Sequence, residues 1–139
     1  MEPQGQHSHG AAVFNLSEQM QFNDDQLVNV HLWDGDAFFG RLVCMKRGQV
    51  VPLHIHEHKD ECFDVIQGEG TFILEGKEFK AGPGMTIYVP AGTVHGLRAD
   101  GTEVWVLRET VNERVYARRA LRLLLRAIWK RVKHRKLRF

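Results

Sequence analysis

Three histidines and several acidic residues fall within the eight residues 54–61 of the stretch GQVVPLHIHEHKDECFDVIQG. Side chains alternate between the two faces of a β-strand, so His54 and His56 are predicted to project to the same face. That alternation also places Val50 and Pro52 on the histidine face. Two imidazoles on one face suit Zn, Ni, Cu or Fe, so the pattern indicates a metal site.

A carboxylate and a third imidazole extend this candidate site. If EHKD is a turn, Glu61 begins the next strand, which runs back antiparallel and brings its carboxylate next to the two imidazoles. A carboxylate adds negative charge and favours Fe and Mn. His95 follows a PAG turn in GPGMTIYVPAGTVHG and begins or lies within another strand.

The elements that must position these residues are predicted to be β-strands. Between residues 27 and 109, short β-rich runs such as LVNVHLW, CFDVIQ and EVWVLRE are separated by turn signals such as QGEG, AGPG and ADGT. Many short strands at this spacing favour an all-β sandwich or barrel over a βαβ fold.

The two histidine segments together resemble the two motifs of the cupin superfamily. The first motif is a Gly, five residues, His-x-His, three or four residues, Glu, six residues and Gly; the second is a Gly, five residues, Pro-x-Gly, two residues, His, three residues and Asn. The matching residues are Gly48, His54, His56, Glu61 and Gly68, then Gly84, Pro90, Gly92 and His95. Ala99 stands where the second motif has Asn, which is not a metal ligand in the family. The resemblance covers roughly residues 30–109.

The resemblance implies an all-β, double-stranded β-helix (jelly-roll) barrel. It implies one divalent transition metal per chain, drawn from Fe, Mn, Ni, Zn or Cu, and bound by His54, His56, Glu61 and His95. It also implies a homodimer, and a metal-dependent enzyme of the dioxygenase, decarboxylase, isomerase or lyase type acting on a small oxygen-rich organic molecule. A non-catalytic module that senses a small ligand is the alternative. The four glycines of the motifs are expected in turns that need positive φ.

No catalytic base is assigned from the sequence, although His58 and Tyr88 are weak candidates. Arg41, Arg98 and Arg108 could each clamp a substrate carboxylate, but exposure to solvent is the expected state of all three. Two cysteines, Cys44 and Cys62, do not make a disulfide framework and are expected to be small buried hydrophobes.

Charge divides the chain into an acidic body and a basic tail. Residues 114–139 hold eleven of the 19 basic residues and no acidic one, so they carry about +11 and residues 1–113 about −9. From Asn112, apolar residues recur at the spacing of one helix face and basic residues occupy the other, which predicts a basic amphipathic α-helix. We therefore expect a flexible leader over 1–26, a barrel over 27–111 and the helix over 112–139.

Three partners are open for the basic helix. It could pack on the acidic body or on a partner subunit, which is the favoured prediction because an exposed leucine face is a liability. It could make peripheral contact with an anionic membrane through residues 112–139. Nucleic acid is the least favoured partner, since no base-reading module is visible. The start of the chain has no basic and apolar signal pattern, so a cytoplasmic location is expected.

Overall fold

Nine strands and two helices make up the computed structural model, which describes residues 10–136. In chain order they are α1 (Leu16–Gln19), β1 (Val28–Asp34), β2 (Phe39–Lys46), β3 (Val50–His54), β4 (Glu61–Gln67), β5 (Gly70–Leu74), β6 (Lys77–Ala81), β7 (Thr86–Val89), β8 (His95–Arg98), β9 (Val104–Val111) and α2 (Glu113–Lys136). The strands form a five-stranded sheet in the order β1-β2-β9-β4-β7 and a four-stranded sheet in the order β3-β8-β5-β6. Every pairing described is antiparallel, so the predicted jelly-roll architecture and the C-terminal helix are confirmed.

The main core lies between the two sheets. Inward-facing side chains alternate along each strand, as they do on β9, where Trp105 and Leu107 are fully buried. They pack with side chains from both sheets, including Val43, Met45, Phe63, Val65, Phe72, Ile87, Val89 and Leu97. Burial of these apolar side chains holds the two sheets together and fixes the faces on which polar residues of the same strands emerge.

A second apolar cluster covers the outer face of the five-stranded sheet. Val30, Leu32, Leu42, Cys44 and Val106 are buried there against partly buried side chains that include Phe14, Leu16 and Met20. Residues 14–20 therefore contact the barrel, although they fall in the range predicted as a leader. The division into leader, barrel and helix stays a prediction.

The consecutive strands β3 and β4 belong to different sheets. β3 pairs with β8, whereas β4 pairs with β7 and β9. The segment between His54 and Glu61 therefore passes from one sheet to the other and does not close a hairpin. Glu61 begins β4 as predicted, but it meets the histidines from the opposite sheet.

An irregular register in β3 changes which of its residues face inward. The pairing of β3 with β8 shifts between Val51 and His54. Val51 packs against the main core, while Val50 is 50% exposed, so the prediction that Val50 shares the face of His54 is wrong. A bulge adds one residue to a strand and breaks the simple alternation of faces. Leu53 and Ile55 are exposed, in agreement with their predicted position on the other face.

The motif glycines occupy positive-φ turns, as the sequence predicted. Gly68 has φ +76°, and a β-carbon added to it would lie 2.0 Å from the carbonyl oxygen of Val104. Gly84 has φ +88° but faces open space. At position 68, both the positive φ and the close approach of the Val104 backbone require glycine. At position 84, only the positive φ requires it.

The C-terminal helix α2 exposes apolar side chains to solvent. All side chains over residues 121–132 are exposed, among them Leu121, Leu124, Leu125, Ile128 and Trp129. No residue among those that the structure describes covers this part of the helix. None of the helices in the described part of the chain is long and apolar enough to cross a bilayer.

The two glycines give a matched test of this backbone geometry. We expect Gly84→Ala to lower the free energy of unfolding by about 1–2 kcal/mol, the cost of a left-handed residue with a β-carbon. Gly68→Ala should cost about 2–5 kcal/mol because it adds overpacking against Val104 to the same strain. Urea unfolding followed by circular dichroism measures both, and equal losses would contradict the close-approach role of Gly68.

Candidate metal centre

Four side chains converge between the open ends of the two sheets. His54 ends β3 and His95 begins β8, and these two residues are register partners in the four-stranded sheet. His56 lies two residues beyond the end of β3. Glu61 begins β4 in the five-stranded sheet and faces the three imidazoles. We call His54, His56, Glu61 and His95 the ligand cluster.

The geometry of the ligand cluster matches that of a single-ion site. One ligand-type atom from each residue lies within 4.8 Å of all the others. The Glu61 carboxylate has Oε2 at 2.7 Å from Nε2 of His95 and Oε1 at 3.2 Å from Nε2 of His56. The ring centroids of His54 and His95 are 4.2 Å apart. Four donors at this spacing are compatible with one divalent cation.

Backbone carbonyls orient two of the imidazoles. Nδ1 of His54 donates to the carbonyl oxygen of Pro52 at 2.7 Å, and Nδ1 of His95 donates to that of Thr93 at 3.0 Å. A carbonyl oxygen only accepts, so the proton of each ring is held on Nδ1 and Nε2 keeps its lone pair. Such contacts fix the tautomer of metal-binding histidines.

The atoms that face each other inside the ligand cluster lack hydrogen-bond partners. Oε2 of Glu61 and Nε2 of His95 are both buried, and their 2.7 Å contact does not have the geometry of a hydrogen bond. Two buried lone-pair atoms aimed at a common space are costly unless a cation satisfies both. The donor set present therefore fits a divalent metal.

One side of the ligand cluster is open and the other is closed. Glu61 and His95 are buried, at 2% and 1% exposure, whereas the His56 side chain is 31% exposed. Phe63 and Phe72 pack near the His95 ring, with centroid separations of 6.0 and 6.5 Å. A metal held here would have an apolar wall behind it and access for a small molecule in front.

The electrostatics of the ligand cluster are dominated by the carboxylate–imidazole pair. Burial alone would raise the pKa of Glu61, but contact with His95 and the charges of His56 and His54 outweigh burial and lower that pKa. Burial alone would lower the pKa of His95, but the Glu61 carboxylate outweighs it and raises that pKa. His56 is different, since burial lowers its pKa and the opposing attraction of Glu61 does not restore it.

Sequence analysis did not select Glu109, which the structure places beside the ligand cluster. Glu109 on β9 is 3% exposed, and Nε of Arg41 donates to its Oε2 at 2.6 Å. Glu109 lies on β9 two residues from Val111, which is the register partner of Glu61, so the two carboxyl groups are diagonal neighbours. Burial is the main reason that the pKa of Glu109 is raised, against the lowering effect of Arg41. Its only signal in the sequence was a carboxylate at an inward position of a strand with apolar neighbours.

The remaining candidate residues are not members of the ligand cluster. His58 is exposed in the segment that leads to β4. Tyr88, 59% exposed, and Cys62, half-buried, line an open depression of about 380 Å³ on the outer face of the five-stranded sheet. Cys44 is buried as predicted, but the prediction that Cys62 is a buried hydrophobe is wrong, because the outer face of β4 is open at that point.

Comparison with known families agrees with this fold and site. Residues 41–108 match the family model described as "Cupin domain". This part of the chain is a small cupin domain with the double-stranded β-helix fold, as the motif resemblance predicted.

Individual relatives cover different shares of the chain. Quercetin 2,3-dioxygenase of Bacillus subtilis is 37% identical over 54 residues, which is 39% of this chain and 16% of that enzyme. An RmlC-like cupin protein from Desulfovibrio desulfuricans superposes with a TM-score of 0.68 at 27% identity, covering 75% of this chain and 98% of that one. A Klebsiella pneumoniae protein with a double-stranded β-helix domain gives a TM-score of 0.69 at 19% identity, over 75% and 91% of the two chains. The chain thus spans less than a fifth of the curated enzyme that it matches.

The Glu61–His95 contact makes the stability of the metal-free protein depend on pH. The lowered pKa of Glu61 gives stabilisation that is present above its ordinary value of 4.5 and is lost in acid. The raised pKa of His95 gives stabilisation that is present below its ordinary value of 6.5 and is lost as pH rises through the folded-state pKa. Relative to Glu61→Gln, the wild-type protein should gain most in unfolding free energy between pH 4.5 and 6.5.

Urea unfolding of chelator-treated protein across this range measures that difference. Glu57→Gln is the control, because Glu57 is exposed in the same segment and its substitution removes the same charge. If the difference in unfolding free energy between the wild-type protein and Glu61→Gln does not change with pH, the pairing of Glu61 with His95 is contradicted.

Proposed function

We propose that this cupin is a metal-dependent enzyme that acts on a small, oxygen-rich organic molecule. The ligand cluster would hold the metal, with His54, His56, Glu61 and His95 each supplying one donor atom. The observation that carries the proposal is the convergence of these four donors around buried atoms with no hydrogen-bond partner. The partial exposure of His54 and His56 supports it, because a catalytic metal needs a coordination position that substrate or water can reach.

A metal in this position would supply Lewis-acid or oxygen-activating chemistry. The residues of the chain would then shape the site around the metal. The carbonyl-anchored imidazoles would hold the donor atoms in place, and the wall of Phe63 and Phe72 would exclude water from the buried side. Dioxygenase, decarboxylase, isomerase and lyase reactions all fit this arrangement. The quercetin 2,3-dioxygenase relative supports oxygen chemistry as the first type of reaction to test.

Metal content tests the site directly. We expect one Fe, Mn, Ni, Zn or Cu ion per chain in protein purified without a polyhistidine tag, and loss of that ion in the His54→Ala/His56→Ala variant, because two of four donors are removed. Inductively coupled plasma mass spectrometry measures both. His58→Ala is the matched control, since it removes an exposed imidazole from the same segment and should leave the metal content unchanged.

Turnover tests the enzymatic part of the proposal. Metal-loaded protein should consume oxygen with quercetin, or convert a hydroxy acid or sugar acid detectable by mass spectrometry, and the His54→Ala/His56→Ala variant should not. A protein that binds metal stoichiometrically but converts no substrate in a broad panel would favour the ligand-sensing alternative.

A non-catalytic sensor tethered through α2 is the second candidate function. The exposed apolar side chains of residues 121–132 favour it, because they are interspersed with arginine and lysine and an exposed leucine-rich face is unusual. The helical period puts Leu124, Leu125 and Ile128 on one side and Arg122 and Arg126 on another. Peripheral contact with an anionic membrane fits such a helix.

A pair of variants with the same chemical change tests membrane contact. Leu125→Asp alters the apolar side of α2, whereas Leu123→Asp places the same charge within the basic side. If the helix lies on a membrane, Leu125→Asp should reduce co-sedimentation with phosphatidylserine vesicles about tenfold more than Leu123→Asp, because the apolar face enters the lipid. Equal effects, or no binding by the wild-type protein, would leave packing on the acidic body or on a second copy as the role of α2.

The homodimer and the cytoplasmic location stay predictions. Light scattering on the purified protein distinguishes the 16.0 kDa monomer from a dimer.

A further inference from the structure

Three arginines of the barrel were equal candidates for holding a substrate carboxylate, and their contacts now distinguish them. Arg98 is fully engaged, since Nε donates to Asp100 and both terminal nitrogens donate to Glu78. Arg108 donates to Asp64, which it faces across β9 and β4. Exposure does not separate the three, because their side chains are 34–40% exposed.

Only Arg41 among these three is on the inner face of its sheet. Arg41 alternates with Leu42, which belongs to the outer cluster, and shares its face with Val43 in the main core. It is also the register partner of Glu109, which points into the barrel. Arg108, by contrast, alternates with the inward-facing Leu107 and therefore faces outward.

The way in which Arg41 is anchored leaves its terminal nitrogens available. Its guanidinium uses Nε to donate to the buried Glu109 carboxylate. Within the described residues, neither Nη of Arg41 has a hydrogen-bond partner. A guanidinium has five N–H donors in a planar fork, so a group held through Nε can still present two parallel donors to a carboxylate.

The contacts of Glu109 place this guanidinium close to the ligand cluster. Arg41 contacts Glu109, and Glu109 lies diagonally across the pairing of β4 with β9 from Glu61, which is itself a member of the ligand cluster. Diagonal neighbours of this kind lie about 7–8 Å apart, so a single carboxyl group separates the guanidinium from the ligand cluster. A small molecule that coordinates a metal through one oxygen group could reach Arg41 with another.

We infer that Arg41 determines specificity by binding a carboxylate of the substrate, so that the substrate class is a small organic acid with a second oxygen group for the metal. This inference deepens the proposed function and rests on it. Glu109 acts as a positioning residue, because it holds the guanidinium through Nε and leaves the terminal nitrogens without a partner among the described residues. A neutral substrate would leave those nitrogens without a partner when it excluded water.

Ligand binding to Co²⁺-loaded protein tests the inference without any need for turnover. Malonate, succinate and glutarate are the acid probes, their diamides are neutral probes of matching length, and imidazole is a neutral ligand that needs only the metal. Changes in the visible spectrum of Co²⁺ and calorimetry report binding. We expect at least one acid to bind the wild-type protein more tightly than its diamide.

The variants separate the role of Arg41 from damage to the site. Arg41→Met should weaken binding of that acid by about 10- to 100-fold, the value of a charge-assisted hydrogen-bond pair, and leave imidazole binding unchanged. Arg41→Met/Glu109→Gln removes the buried charge that the single variant would strand and should show the same selective loss. Arg108→Met removes an equally charged arginine from the outer face and should change the binding of neither the acid nor imidazole.

Each other outcome contradicts the inference in a recognisable way. If acid binding is the same in Arg41→Met, or if no acid binds better than its diamide, Arg41 does not select the substrate. If the double variant loses acid and imidazole binding equally, Arg41 and Glu109 only support the ligand cluster. If the wild-type protein takes up no Co²⁺ before any acid is added, the proposed metal site itself fails, and this inference fails with it.

Discussion

The Glu61 carboxylate lies almost wholly out of water, with its two oxygens against the imidazoles of His95 and His56. Burying a carboxylate costs several kcal/mol unless positive charge or hydrogen-bond donors compensate it. Here the compensation comes from across the barrel, since Glu61 belongs to one sheet and the imidazoles to the other. The chemistry of the site therefore depends on the two sheets meeting at the correct distance, and a cation between them would strengthen that contact.

The rest of the barrel serves this requirement by rigidity. Fully buried side chains such as Trp105 and Phe72 fill the space between the sheets, and close-packed interiors resist small displacements. Each member of the ligand cluster lies at or near the end of a strand, where the backbone is fixed on one side and open on the other. Arg41 and Glu109 pair across β2 and β9 on the inner face of the same sheet as Glu61.

Charge and exposure set the C-terminal helix apart from the barrel. The acidic and basic residues of the barrel pair locally on its surface, as Arg98 does with Glu78 and Asp100. In the sequence of α2, by contrast, Glu113 is the only acidic residue among many basic ones. The chain therefore joins an acidic domain to a helix of opposite charge, and the two would respond oppositely to an anionic surface.

The sequence by itself determined the fold class, the strand-rich barrel, the C-terminal helix and the ligand cluster, because motif spacing and turn glycines are local properties of the chain. It did not determine that Glu61 reaches the histidines from the opposite sheet, because strand pairing depends on long-range contacts that alternation does not encode. The bulge in β3 reversed the expected face of Val50 for the same reason. Only the tertiary structure decided that Glu109 and Arg41 are partners, because residues 68 positions apart in sequence meet only when β2 pairs with β9.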